Sequence, residues 1–307
     1  MTATNVIEPP PEVKDVDPPK AKKKKTPAMP PPPKWAIVED EAVYHARAQA
    51  GLVMSSGMLK RFRDCPYHYH RLVTGQVKEK DRAAYRFGRA VHKIILEGIA
   101  PFNRAFAIGG PINPKTGKNY GVGTQAHDAW LAERGLSREH VIAEEEADTL
   151  IAMHRATRRH SKAMDLLSYG WPELVCRATM NDVPCQARFD WLTHDAAGNY
   201  VILDLKTTED MTWFRSDAKR YQYLHQFAFY RSVFALAAGP PLAAFWCIAV
   251  EKKEPFRVGM WDVPESDLDA AATENRISLE SYKDCLGADA WPTGYEEPRT
   301  LTFDTGA

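Results

Sequence analysis

The stretch VILDLKTTED, residues 201–210, sets an acid and a lysine two positions apart inside an apolar run. Charges in the middle of a strand carry a desolvation cost and normally need a partner or a metal. Side chains alternate faces along a strand. Asp204 and Lys206 therefore share one face with Ile202, while Val201, Leu203 and Leu205 point to the other. HDAAGN (194–199) reads as a turn, so the strand before it pairs antiparallel with 200–207. That earlier strand carries Asp190, in ARFDWL, and the right register brings it close to Asp204. Two neighbouring carboxylates repel unless one is protonated or a cation lies between them. Oxygen ligation favours Mg²⁺ or Mn²⁺, and Mg²⁺ keeps waters and leans on substrate phosphates. A lysine two residues from a ligand does not suit a simple cation cage. It does suit phosphodiester hydrolysis, where it can position a water or stabilise charge in the transition state. For the pair taken alone, the alternative is a buried ion pair at a sheet edge.

Outward from this stretch the period changes. ELVCRATM (173–180), VPCQARFDWLTH (183–194), YVILDLKTT (200–208), LAAFWCIAVEK (242–252) and FRVGMWDV (256–263) read as five strands. A long helix, 220–239, is inserted after the third, and a last helix spans about 265–286. Before the strands the pattern is helical. SSGMLKRFRDCPYHYHRL (55–72) offers Ser55 or Ser56 as N-cap and places Met58, Leu59 and Phe62 at helical spacing. Residues 81–98 form a second helix, with Phe87, Val91, Ile94 and Ile95 as its apolar stripe and Gly98 as its stop. A loop rich in glycine and lysine follows at 109–123, then helices over 126–136 and 144–170. Helices, a hairpin-rich sheet and a crossover helix make an α/β or α+β sandwich.

The chain has 307 residues, 44% hydrophobic and 26% charged, with no net formal charge, which suits one sizeable domain with appendages. The first 34 residues hold ten of the 22 prolines. Their seven lysines, against Glu8, Glu12, Asp15 and Asp17, give that segment +3 and leave −3 for the rest. Residues 1–36 are thus expected to be a disordered Pro/Lys-rich tail, 37–288 the folded domain, and 289–307 a loose end. No apolar run is long enough for a membrane span, and there is no hydrophobic signal core at the N-terminus. The five scattered cysteines (65, 176, 185, 247, 285) suggest a reducing interior rather than a disulfide framework.

FDWL followed fourteen residues later by LDLKTT resembles the PD-(D/E)xK nuclease core. Further pieces resemble the exodeoxyribonuclease VIII-like branch of phage recombination exonucleases. They are FGRAVH (87–92), a partly kept loop NPKTGK (113–118), Glu173 in WPELV, and Gln226 with Tyr230 in QFAFY. The resemblance covers about residues 50–262, and Phe189 stands where the family name implies a proline.

The resemblance implies a restriction-endonuclease-like core, a central mixed sheet with a hairpin-borne active site and flanking helices. It implies that His92, Asp190, Asp204 and the main-chain carbonyl of Leu205 bind Mg²⁺, with Mn²⁺ as a substitute, and that Lys206 is catalytic. Glu173 would help through a second metal or a water, and Gln226 and Tyr230 would orient Lys206 or the scissile phosphate. It further implies a DNA exonuclease acting on duplex ends, 5′ to 3′, in the cytoplasm of a bacterial host. Members commonly work beside a single-strand annealing protein, and many assemble as rings. Arg82, Arg86, Arg89 and Lys93 on the His92 helix, Lys115 and Lys118 in the loop, and Arg158 and Arg159 are candidate phosphate contacts.

Other readings stand beside these. His92 could be an ordinary helix-surface histidine, and Tyr230 could belong to a core stripe with Phe227 and Phe234. HYH (68–70) lacks zinc-ligand spacing, and one late cysteine, Cys285, cannot complete the iron–sulfur cluster of some relatives. A structure-specific or endonucleolytic DNase on the same fold and a catalytically silent DNA-end binding module are the rival functions.

Overall fold

The computed structural model describes residues 31–78, 83–238 and 242–300. Arg82 and the lysine run at 20–25 lie outside the described residues. The chain opens with strand β1 (Ile37–Val38) and helix α1 (Glu41–Gln49), which Asp40 caps by accepting the Ala42 N–H. Strand β2 (Met54–Ser55) leads into α2 (Ser56–Asp64), and Ser55 is the cap, accepting from Met58. The single helix expected over 55–72 is in fact two. Cys65 is extended, as a residue before proline prefers, and Pro66 opens α3 (Pro66–Val73).

Helix α4 (Ala83–His92) runs into a π-helical turn, Lys93–Glu97, that stops at Gly98 with a φ of 93°. Then come α5 (Ile99–Ala105), β3 (Ala107–Ile108), α6 (Gln125–Ala132) and β4 (Val141–Ile142). The helix expected over 144–170 also divides, into α7 (Glu144–Arg159) and α8 (Ser161–Leu167). His160 leaves the helical region at the break, and its Nδ1 accepts the Ala163 N–H as the cap of α8.

The main sheet follows in β5 (Trp171–Met180), β6 (Val183–His194) and β7 (Tyr200–Thr208). Helices α9 (Phe214–Arg220) and α10 (Tyr223–Ala238) cross over to β8 (Leu242–Glu251). Strand β9 (Val258–Asp262) and α11 (Glu265–Ala288) complete the elements. The strand order is β1-β5-β6-β7-β8-β9, with β2 added parallel to β6. The β6–β7 pair is an antiparallel hairpin and β7–β8 is parallel, so the sheet is mixed, the second pairing requiring the helical crossover.

Each face of the sheet carries its own core. One packs Leu59, Phe62 and Tyr69 of α2 and α3, Phe229 and Phe234 of α10, and Leu279 of α11 over Phe189 and Ile202. The other packs Val91 and Ile94, Phe102 of α5, and Leu150 and Met153 of α7 over Val201, Leu203 and Leu205. The alternation expected for β7 therefore holds residue by residue. Trp35 seats edge-on against Tyr200 and Phe234, and Trp291 lies over His70, whose neighbour Tyr67 donates its N–H to the Pro292 carbonyl. No helix among the described residues is long and apolar enough to cross a membrane.

Candidate active site

The β6–β7 hairpin is set by its turn, where Asp195 accepts the N–H groups of Ala197 and Asn199. Pairing runs from His194–Tyr200 to Trp191–Leu203 and stops one step before Asp190 would face Asp204. There the strands part. Asp190 fills the gap with its side chain, Oδ2 accepting the Leu205 N–H at 2.7 Å. Phe189 and Leu192 both enter the first core although they are three residues apart, so β6 loses its period of two at Asp190. The neighbouring β5–β6 ladder also skips its Glu173–Asp190 step, and Glu173 has a φ of 54°. A non-glycine residue in the left-handed region carries strain of the kind that clusters at functional sites.

His92, the last residue of α4, closes over this irregularity. Its Nδ1 lies 3.8 Å from Glu173 Oε1 and 3.7 Å from Asp190 Oδ2. Ligand atoms of the three residues all lie within 4.8 Å of one another. Burial works against the charged imidazole, yet Asp190 and Glu173 outweigh it and push its pKa up to about 9. The π turn that begins at Lys93 directly follows His92, an irregularity frequent at functional sites. Glu173 is braced from behind, since Arg188 Nε meets its Oε2 at 2.9 Å. Arg188 also reaches Glu41 at 3.3 Å and lies over the Tyr44 ring. Sequence reading missed Arg188, Glu41 and Tyr44. The one available signal was an arginine inside an apolar strand two residues before Asp190.

On the other side of Asp190 stands the pair from the opening motif. Lys206 Nζ meets Asp204 Oδ2 at 2.6 Å, with Asp204 0% exposed. Gln226 links both partners, its Oε1 accepting from Lys206 at 3.1 Å and its Nε2 donating to Asp204 Oδ1 at 3.1 Å. The same Nε2 lies 2.9 Å from the Tyr230 hydroxyl oxygen, while the Tyr230 ring packs edge-on against Phe189. Tyr230 thus joins both the polar network and the core. Burial pushes the Asp204 carboxyl upward against the pull of Lys206. Lys206 itself is shifted upward, because Asp204 and Asp190 outweigh the desolvation of its ammonium.

The expected ligand set is therefore arranged differently. Glu173, not Asp204, completes the group around His92 and Asp190, and Asp204 is turned to Lys206 and Gln226. The Leu205 N–H points to Asp190, and a strand residue directs its N–H and C=O to the same neighbour, so its carbonyl faces that side as well. Of the basic candidates, Lys93 is paired with Glu97 at 2.6 Å, and Arg89 reaches the Glu139 carbonyl at 3.5 Å. Arg86 is half-buried on α4. Lys115, Lys118, Arg158 and Arg159 are exposed.

An imidazole and two carboxylates within 4.8 Å are a donor set that fits a hard divalent cation such as Mg²⁺ or Mn²⁺. Over residues 55–300 the sequence matches the family described as PDDEXK-like domain of unknown function (DUF3799). The chain belongs to this PDDEXK-like family. Among solved structures, a candidate exonuclease from Eubacterium rectale aligns with a TM-score of 0.60 at 12% identity, over 88% of this chain and 97% of its own. That likeness shows a shared fold. A second structure, SSO0001, gives a TM-score of only 0.25 at 11% identity, over 43% of this chain and 66% of its own, and bears no argument. No curated protein matches the sequence. PDDEXK-like membership and the restriction-endonuclease-like core support a nuclease.

Proposed function

We propose that this PDDEXK-like chain is a Mg²⁺-dependent DNA exonuclease, with Mn²⁺ able to substitute, that degrades duplex ends 5′ to 3′ and exposes single strands for recombination. The observation that carries the reading is the convergence of His92, Glu173 and Asp190 beside the buried Lys206–Asp204–Gln226 network. The description of the Eubacterium rectale protein as a candidate exonuclease agrees with it. A divalent cation held by His92, Asp190 and Glu173 would supply positive charge at a phosphoryl oxygen and a more acidic water.

The chain's own groups do the positioning. Lys206 stays protonated in the company of Asp204 and Asp190, so it acts as a fixed charge for the transition state and as an orienter of water. Gln226 holds both Lys206 and Asp204, which limits the rotation of the ammonium. Asp190 is locked by the Leu205 N–H, and Glu173 by Arg188. A single-strand annealing protein as partner, ring assembly and a cytoplasmic setting belong to the same proposal.

The test offers end-labelled linear duplex and covalently closed circular DNA to the protein in Mg²⁺ or EDTA, beside Lys206→Ala. Metal-dependent loss of the linear form alone, abolished by the substitution, is the expected result, and the surviving label reports polarity. Cutting of the circle would replace the exonuclease with an endonuclease. Absence of cleavage with end binding intact would make the chain a DNA-end binding module.

A further inference from the structure

Lys206 faces a second feature. Its Nζ lies 4.9 Å from the centre of the Tyr223 ring, and Tyr223 stacks with Tyr221, the ring centres 5.9 Å apart and the planes at 28°. Residues two apart in a continuous helix do not face each other, so an unbroken α9–α10 helix could not bring these rings together. The break lies between them, where Gln222 takes a left-handed φ of 59°. Such a conformation is disfavoured for a residue with a Cβ, and here tertiary contacts hold it. Gln222 Oε1 accepts from Arg63 at 2.8 Å, and its Nε2 donates to Asp64 Oδ1 at 3.1 Å. Arg63 is tied in turn to Asn275 and Ser278 of α11.

The tyrosine pair is therefore clamped by α2 and α11 rather than lying loose on the surface. Tyr223 is half-buried beside Lys206, whereas Tyr221 is 48% exposed and offers ring surface to solvent. Lys219 and Arg220 form the basic last turn of α9, both exposed, with the Arg220 guanidinium 5.7 Å from the Tyr221 ring centre. A lysine that can meet a phosphate, two stacked rings and an adjacent basic turn form a continuous strip. Aromatic faces next to backbone-neutralising charge are how single-stranded nucleic acid is held without sequence preference, because every base has a π-face.

We infer that Tyr221 and Tyr223 form a stacking platform for a nucleobase of an unpaired DNA strand whose backbone runs from Lys206 towards Lys219 and Arg220. The ligand class is single-stranded DNA, since a base locked inside a duplex cannot lay its face on a ring. This rests on the nuclease reading above and extends it to the nucleotides flanking the reacting phosphate.

The test uses the full chain in EDTA with a single-stranded oligonucleotide carrying 2-aminopurine, read by anisotropy and by quenching of the probe. Tyr221→Ala should weaken binding by about fivefold to a hundredfold and relieve the quenching, and Tyr221→Leu should do the same. Tyr221→Phe, which keeps the face, should match wild type. So should Trp213→Ala, which removes a 63%-exposed aromatic outside the strip. Equal binding and equal quenching by wild type and Tyr221→Ala would overturn the platform. So would a Tyr221→Phe loss as large as that of Tyr221→Ala. Cleavage of linear DNA is scored separately. Cleavage without any Tyr221 dependence of binding removes the platform alone, and Tyr221-dependent binding without cleavage removes the nuclease reading alone. Absence of both removes both.

Discussion

Asp204 and Lys206 depend on each other for their charge. Asp204 is fully buried, with Lys206 and Gln226 on its two oxygens, so removing the ammonium leaves a carboxylate in a poorly solvating place. Breaking one partner of a buried pair typically costs about 3–5 kcal/mol, whereas neutralising both is far milder. Lys206→Ala is therefore expected to lower the denaturation midpoint, and Asp204→Asn added to it should recover much of the loss. Cleavage should fall by at least about a hundredfold in both, as for a lost transition-state donor. Recovery of stability without recovery of activity separates the two roles of the lysine. Gln226 acts through its neighbours. Gln226→Leu should lower kcat by about tenfold or more and leave KM nearly unchanged. It should also leave cation binding intact, and a parallel loss of binding would sink its positioning role.

At the scale of the elements, α4, β5 and β6 each deliver one candidate ligand, and each is irregular there. A π turn follows His92, Glu173 is left-handed, and β6 loses its alternation at Asp190. Cation binding should therefore couple to folding, adding about 2.7 kcal/mol at a concentration one hundred times Kd. Mn²⁺ should raise the melting temperature of wild type and of Lys206→Ala but not of His92→Ala, a result that calorimetry can check. A second junction, at the far end of β8, offers a pH test. Glu251 accepts from the Arg257 guanidinium at 2.6 Å and 2.8 Å and from the Met211 N–H at 3.1 Å. The Arg257 contacts hold its pKa well below the usual carboxylate range, at about 2. A depressed folded pKa adds stability that is present above the unfolded value, near 4.3, and is lost as pH falls through about 2. Glu251→Gln should therefore melt below wild type at pH 7, and the gap should narrow from about pH 4.3 towards pH 2. A gap that does not depend on pH would assign the contact to shape rather than charge.

Across the whole molecule, the two cores lock the sheet from both faces, and the site lies where its central strands part. Phe234 is buried among Trp35, Phe189 and Tyr200, joining the start of the described chain to β6 and β7. Phe234→Ala should cost about 3–5 kcal/mol in denaturant unfolding. The loss should register equally by tryptophan fluorescence and by far-ultraviolet dichroism if the domain unfolds as one unit.

The fold was legible where local period decides it. The turn at 194–199 and the alternation of 200–208 set the hairpin register up to the step before Asp190 would face Asp204, and the five strands and the crossover helix followed from the same rule. Pro66 also announced the break after α2, although the helical spacing of Met58, Leu59 and Phe62 masked it. Little in the sequence could indicate that Glu173 rather than Asp204 would group with His92, because that depends on a left-handed residue and on Arg188 reaching across β5 and β6. The Gln222 clamp on the two tyrosines is hidden for the same reason, since its partners lie 159 and 158 residues away. By itself the sequence determined which residues share a face where a strand or helix runs regularly, as in β7, because those periods are properties of the backbone. Only the tertiary structure decided which carboxylate meets the imidazole and which meets the lysine, because rotamers and strand irregularities answer to packing between distant elements.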